Sequence, residues 1–331
     1  MIALDPYIII SALLLDLALG DPRWLPHPVA QIGKLITKLE LLLRPELRSE
    51  VSSVIEKQKA ETRDKVAGIL LLLITVASAA GAAWVLLITA SLVSGLVEFL
   101  LAVAISWTCL AARSLHGESA VVADALAAGE IEKARHFLSY IVGRDTADLN
   151  EAEIWRALVE TVAENSSDGI IAPLFWLTVG GPVAAMAFKA VSTLDSMVGY
   201  RNQRYLNFGW ASARMDDLLN FIPARLTALL MIISALPSGL SMAGAFKITL
   251  RDRLKHPSPN SAHPKAAAAG ALGVRLGGVS TYAGIASTKQ FIGDPHLPLD
   301  QKAYNGMIRL MYTATLLMAA ACIATVLVAR N

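Results

Sequence analysis

The sequence predicts an all-α, polytopic integral membrane protein whose polar loops build a site at one membrane face. Three observations carry that expectation. Hydrophobic residues make up 55% of the 331-residue chain and charged residues 17%, below the roughly 25% of a soluble domain. Mean hydropathy is +0.52. Apolar segments recur at 7–19, 66–112, 170–190, 226–246 and 306–329, and helices are the only open-ended structure that satisfies backbone groups inside lipid. The expectation is a single domain, 1–331, with about 4–6 membrane-embedded helices.

The first apolar segment lacks a basic flank and a small-residue cleavage site, so it is expected to be a retained span. Asp16 inside it is costly and therefore a site candidate. The segment 66–112 holds 47 residues, enough for two helices of about 20; Gly81 and Ser91–Gly95 are the candidate breaks. Before it, Ser49–Lys65 reads as a charged amphipathic helix, and after it Ser119–Tyr140 reads as a helical hairpin broken at Gly129. The segment 170–190 carries Gly180–Gly181–Pro182 at its middle and is expected to re-enter rather than cross.

Polar loops lie at 20–65, 113–169, 191–225 and 247–305. The first has nine Lys/Arg against seven Asp/Glu over 21–65, and the last eight against three over 247–302. The positive-inside rule places both in the cytoplasm. A net charge of +2 excludes a nucleic-acid binder working by bulk charge. The two cysteines, Cys109 and Cys322, sit in apolar runs, which excludes a disulfide framework and a CxxC zinc site.

Four polar clusters carry candidate chemistry. In the first, Glu160, Glu164 and Asp168 recur at i, i+4 and i+8 on a helix whose flanking stretch, 113–168, has five basic and eleven acidic residues. Stacked carboxylates repel unless a cation fills the face. Mg²⁺ favours a few carboxylates with phosphate oxygens, so Glu160, Glu164 and Asp168, with Asn165 as auxiliary, are the expected metal ligands. Arg156, one turn earlier, can pair with Glu160. A solvated acidic face is the plain alternative.

The second cluster, within 189–225, offers Lys189, Arg201, Asn202 and Arg214 for phosphate or carboxylate recognition. Asp195 or Asp216 is the expected general base there. Asp216 and Asp217 cannot share a helix face. The third cluster, 251–278, has Lys255, His256 and Lys265 around a helix start that Asn260 and Ser261 can cap, an anion site in prospect. The fourth is the proline-rich turn after Gly20, which brings Asp21 and His27 to the interface. No GxxxxGK[ST], HExxH or GxSxG occurs.

In this order, the phrases GDPRWLPHPV (20–29), VGRDT (142–146), VAENSSDGIIAPLFW (162–176), KAVSTLDSMVGYRN, FGWASARMDDLLNFIPARL, HPSPNSAHP and AGALGVRLGG resemble the adenosylcobinamide-phosphate synthase family of cobalamin biosynthesis (CobD/CbiB). Departures from the family's pattern fall at His263, where an aromatic residue is expected, and at Tyr282–Ala283–Gly284, where Tyr-Gly-Gly is expected. The resemblance implies a multi-pass enzyme of the cell membrane that joins a propionate carboxyl of adenosylcobyric acid to the amine of (R)-1-amino-2-propanol phosphate, or the free alcohol, consuming ATP.

An acyl phosphate is the expected intermediate, with Mg·ATP as co-substrate. Phosphate contacts are expected from Arg144, Arg201, Arg214, Lys255 and Lys265. His27 and Asp21 would border the pocket, with Asp195 or Asp216 accepting the ammonium proton. Membrane lipid and a second copy or another cobalamin-assembly enzyme are the further expected partners; nucleic acid is not. The competing class is a transporter for a corrinoid or other anion. Against it, only Asp16 and Glu98 lie well inside a span. A structural scaffold would leave the density of Asp, Arg and Asn unexplained.

Overall fold

A computed structural model describes residues 5–22, 27–44, 54–200, 202–282 and 284–330. Its helices are α1 (Pro6–Leu19), α2 (Pro28–Leu43), α3 (Val54–Val93), α4 (Gly95–Trp107), α5 (Ala112–Ala127), α6 (Ile131–Leu138) and α7 (Glu151–Ser166). A π turn, Ser167–Ile171, leads into α8 (Ala172–Val198). Then come α9 (Trp210–Leu219), α10 (Phe221–Ala235), α11 (Met242–Asp252), α12 (Ala262–Leu272), a hairpin of β1 (Arg275–Tyr282) and β2 (Ile285–Gly293), and α13 (Gln301–Arg330). Four helical stretches are long and apolar enough to cross a membrane, or five if α9 and α10 form one broken span. The residues divide into two compact units, each assembled from separated stretches of chain.

The first unit takes residues 1–15, 21–110 and 175–219. The amphipathic stretch before the second apolar segment is continuous with it: α3 is one helix of 40 residues. The break comes at Ser94, whose hydroxyl caps α4 by accepting the Val97 amide at 3.2 Å. Gly81 stays inside the helix. Where α3 meets the loop before α9, Gly68 is required, because a Cβ there would lie 1.9 Å from the Phe208 carbonyl oxygen. Arg44 pairs with Asp64 at 2.7 Å and lies over the Phe208 ring. Within α8, Gly180 and Gly181 leave helical geometry, Gly181 at φ 68°, so the expected break is present as a kink.

The second unit takes residues 16–20, 111–174 and 220–331. Gly129, at φ 74°, turns α5 into α6 as its position predicts. Asp16 has a structural use: buried at the end of α1, its carboxylate accepts the Ala112 amide at 3.1 Å and so caps α5 from a distance. The apolar run 226–246 is not one helix. It is interrupted after Ala235 by a turn containing Pro237 and Gly239 (φ 71°), and α11 begins at Met242. Gly244 of α11 and Gly270 of α12 let the two backbones touch; a Cβ on Gly270 would lie 2.3 Å from the Gly244 carbonyl oxygen. Every residue of α12 is buried. The antiparallel hairpin, with an irregularity between Leu276 and Gly278, lies within the expected polar loop 247–305.

Candidate functional site: a buried cluster of paired charges

A capping box starts α7: Asn150 accepts the Glu153 amide and Glu153 accepts the Asn150 amide. From this start, Glu160 and Glu164 fall one turn apart on one face. The helix does not stop at 165–169; it widens into the π turn that carries Asp168. Preceding α7, the turn holding Arg144 is tied to the hairpin, with the Asp145 amide donating to the Thr281 carbonyl and the Gly284 amide to the Asp145 carboxylate, each at 2.8 Å.

Glu160 accepts from Arg144 Nη2 at 2.6 Å and from the Gly277 amide at 2.6 Å, and the Arg144 and Glu160 side chains are each 8% exposed. Gly277 reaches it only as glycine: it sits at φ 85°, and a Cβ there would lie 2.4 Å from the Gln290 carbonyl oxygen. Glu164 pairs with Lys265 Nζ at 2.8 Å and accepts the Ser261 hydroxyl. Lys265 also reaches Ser261 Oγ at 2.9 Å. Glu164 keeps 37% of its side chain exposed, so the cluster opens on that side.

His256 faces the same charges. Burial, and then Lys265, lower its pKa to about 4 against the opposing pull of Glu164, so the ring is neutral at ordinary pH. Its Nδ1 accepts the Ser258 amide at 3.1 Å, which puts the ring proton on Nε2. His256 Nε2 and Arg144 Nη1 are both buried donors that meet no acceptor among the described residues. A buried donor without an acceptor costs about 1–3 kcal/mol, and oxyanions are the natural acceptors for such a pair.

Several expectations change here. Glu160 and Glu164 are compensated by the protein's own cations, and among the described residues no group of three His, Cys, Asp or Glu is arranged to hold a metal ion. Two of the three expected ligands are thus engaged by Arg144 and Lys265 in this structure, and Asp168 follows on the π turn. Asn165 turns back on α7, donating to the Thr161 carbonyl at 3.0 Å. Arg156 donates to the Val279 carbonyl, and the cation at Glu160 is Arg144. Ser261 stands at the start of α12 but does not cap it, since its hydroxyl goes to Glu164. Lys255 pairs with Asp252 at 2.6 Å, and Asn260 accepts from Arg225 at 3.3 Å. Of the expected phosphate ligands, Arg144, Lys265 and His256 join the cluster.

The remaining candidates belong to the first unit. His27 donates from Nε2 to Asp21 at 3.2 Å and accepts the Val29 amide on Nδ1, so it caps α2 with both nitrogens engaged. Lys189 and Asp195 lie on α8. Asn202 accepts the Tyr205 amide at 3.0 Å in a local turn. Arg201 lies outside the described residues. Arg214 lines a cavity of about 280 Å³ together with Asp217; Asp216 is not among its lining residues. Sequence reasoning missed the buried Glu40, which holds Arg204 at 2.9 Å, and the roles of Ser261 and Gly277. The Gly-Gly pair after Leu276 was the available signal for Gly277.

Apolar helices of spanning length, one of them running on from a helix that carries compensated carboxylates, define a membrane protein with an internal polar site. Sequence comparison makes this specific: the profile described as CobD/Cbib protein matches residues 9–311. A cobalamin biosynthesis protein CobD from Pelobacter propionicus is 62% identical over 331 residues, covering 100% of this chain and 98% of the relative. Its counterpart from Geobacter metallireducens is 56% identical over 322 residues, 97% of each chain, and that from Clostridium tetani is 43% identical over 310 residues, 94% of each. The chain belongs to the CobD/CbiB family. No solved structure matches it.

Proposed function

We propose that this protein is a membrane enzyme of cobalamin biosynthesis that joins adenosylcobyric acid to (R)-1-amino-2-propanol phosphate by an amide bond, consuming ATP. Family membership and the names of the relatives support the pathway. The observation that carries the chemistry is the pair of buried, unsatisfied donors, Arg144 Nη1 and His256 Nε2, in the cluster that contains Lys265.

A free carboxylate must be activated before an amine can displace its oxygen. In the proposed route a propionate oxygen attacks the γ-phosphorus of ATP and ADP leaves, forming an acyl phosphate. The amine nitrogen then attacks the acyl carbon, the carbon–oxygen bond to phosphate breaks, and phosphate departs with the nitrogen's proton. Arg144 Nη1 and His256 Nε2 would bind the acyl and phosphoryl oxygens, and Lys265 would offset the charge that builds on them. Neutral His256 can only donate at Nε2, so it orients an oxygen and is not a base. Glu160 and Glu164 would hold Arg144 and Lys265 in place. Mg²⁺ is proposed to arrive on the ATP phosphates, without a carboxylate cage. The site is proposed to face the cytoplasm, consistent with the loop charges.

Purified protein in detergent, given the corrinoid acid, aminopropanol phosphate and Mg·ATP, should yield corrinoid amide and ADP. Uptake of the corrinoid into proteoliposomes with no amide formed would overturn the proposal.

A further inference from the structure

In the first unit, residues after α8 and on α9 line the open-sided cavity of about 280 Å³ that none of the chemistry above uses. Three aromatic residues line it: Tyr200 and Tyr205, whose rings are tilted at 40° with centroids 6.4 Å apart, and Trp210. Arg214 and Asp217, one turn apart on α9 at i and i+3, supply a guanidinium and a carboxylate to the same cavity. Glycine fixes both ends of the loop. A Cβ on Gly199 would lie 2.0 Å from Asp195 Oδ1, and one on Gly209 would lie 1.7 Å from the Val198 carbonyl oxygen. Tyr205 is braced from outside by Arg204, which stacks on it at 5.1 Å and is itself paired with Glu40 at 2.9 Å. Tyr200 and Trp210 nevertheless leave 47% and 46% of their surfaces exposed.

A membrane-interface belt also exposes Trp and Tyr, but a belt needs no cavity lined by an arginine and an aspartate as well. The volume is just under the range of small-molecule pockets, roughly 300–1,000 Å³. It is too small for a corrin ring and suited to a flat, nucleoside-sized group. We propose that this cavity binds an adenosine moiety, with the base stacked on Tyr200, Tyr205 and Trp210, the ribose hydroxyls donating to Asp217, and an attached phosphate meeting Arg214. This rests on the reading above for its two sources of adenosine: ATP, and the adenosyl ligand of the corrinoid.

The test is equilibrium binding to the full-length protein in detergent with four probes: ADP, adenosine, adenosylcobyric acid and its cyano counterpart. Trp210→Leu and Tyr200→Leu are compared with wild type, and size exclusion confirms that each variant is folded. Loss of one stacking face should weaken the relevant adenosine probe about five- to a hundredfold. If ATP is the source, ADP and adenosine weaken, and Arg214→Gln weakens ADP alone. If the corrinoid is the source, the adenosylated form weakens and the cyano form does not. The proposal is overturned if the wild type binds no adenosine-containing probe, or if both folded Leu variants bind all four as wild type does. Amide formation is measured alongside: product with unmoved affinities sinks this pocket alone, whereas adenosine binding without product sinks the ligase reading.

Discussion

Two carboxylate clusters of the second unit look alike in the sequence and differ in their bonding. At Asp252 both carboxylate oxygens are doubly engaged: Oδ1 takes Arg251 Nε at 2.8 Å and Lys255 Nζ at 2.6 Å, and Oδ2 takes Arg251 Nη2 and the Gly293 amide, each at 2.8 Å. Arg251 carries on to Asp294 at 3.0 Å. The result ties the end of α11 to the end of β2. At Glu160 and Glu164 the carboxylates are also matched, but Arg144 and His256 retain buried donors with no acceptor. The Asp252 carboxylate is saturated, whereas the Glu160–Glu164 cluster keeps two charged or polar donors for an incoming acceptor. Charge density alone separates neither.

That contrast can be broken or sharpened by substitution, and the largest effect is expected at Arg144. Arg144→Met should lower amide formation by about a hundredfold or more, the scale of losing an oxyanion donor. It should also destabilise the fold by about 3–5 kcal/mol, because Glu160 is left buried without its cation; thermal unfolding reads this. The double variant Arg144→Met/Glu160→Met should regain most of the stability and none of the activity. Recovery of both would make the pair purely structural.

Next in size is His256. His256→Leu should reduce turnover about tenfold or more, and His256→Gln should recover part of it, because the amide N–H stands where Nε2–H stood. Since burial lowers the pKa to about 4, the imidazole stays neutral between pH 5 and 8. The pH–rate profiles of His256→Gln and wild type should therefore share one shape in that range. A lost limb in the variant would show that His256 titrates during turnover. On stability the sign follows from linkage: the unfolded chain binds the proton more tightly, so stability present above about pH 6.5 is lost as pH falls toward 4.

Asp252→Asn should act on stability alone, costing about 1–3 kcal/mol with turnover per folded molecule unchanged. Its ion partners and the Gly293 amide hold the carboxyl well below the usual carboxylate range. Stability from Asp252 is thus present above pH 4 and lost as the acid range is entered, and the variant should lack that part of the acid unfolding curve.

The helices were legible where punctuation is local. Gly129 and Gly180–Gly181 act through their own backbone geometry and Ser94 through a cap three residues away, so those breaks can be placed from the chain alone. The hairpin is not legible, because Arg275–Tyr282 and Ile285–Gly293 follow an Ala- and Gly-rich helix and carry few buried apolar residues. The site was legible in membership and not in pairing. Arg156, four residues before Glu160, has the spacing of a partner, yet the partner is Arg144, 16 residues away through a turn. Lys265 meets Glu164 across a separation of 101 residues, counted from their numbers, and only the packing of α7 and α12 brings them together. The carboxylates are visible in the sequence, and the cations that pair with them are not.

The central claim is that the Arg144–Glu160–Lys265–Glu164–His256 cluster receives the reacting carboxylate, while the Asp252 knot only holds the fold. Amide formed per folded molecule, measured side by side in Arg144→Met/Glu160→Met and Asp252→Asn, tests it directly. The account predicts a loss of about a hundredfold in the first and a rate equal to wild type in the second. Wild-type turnover in the double variant would contradict it.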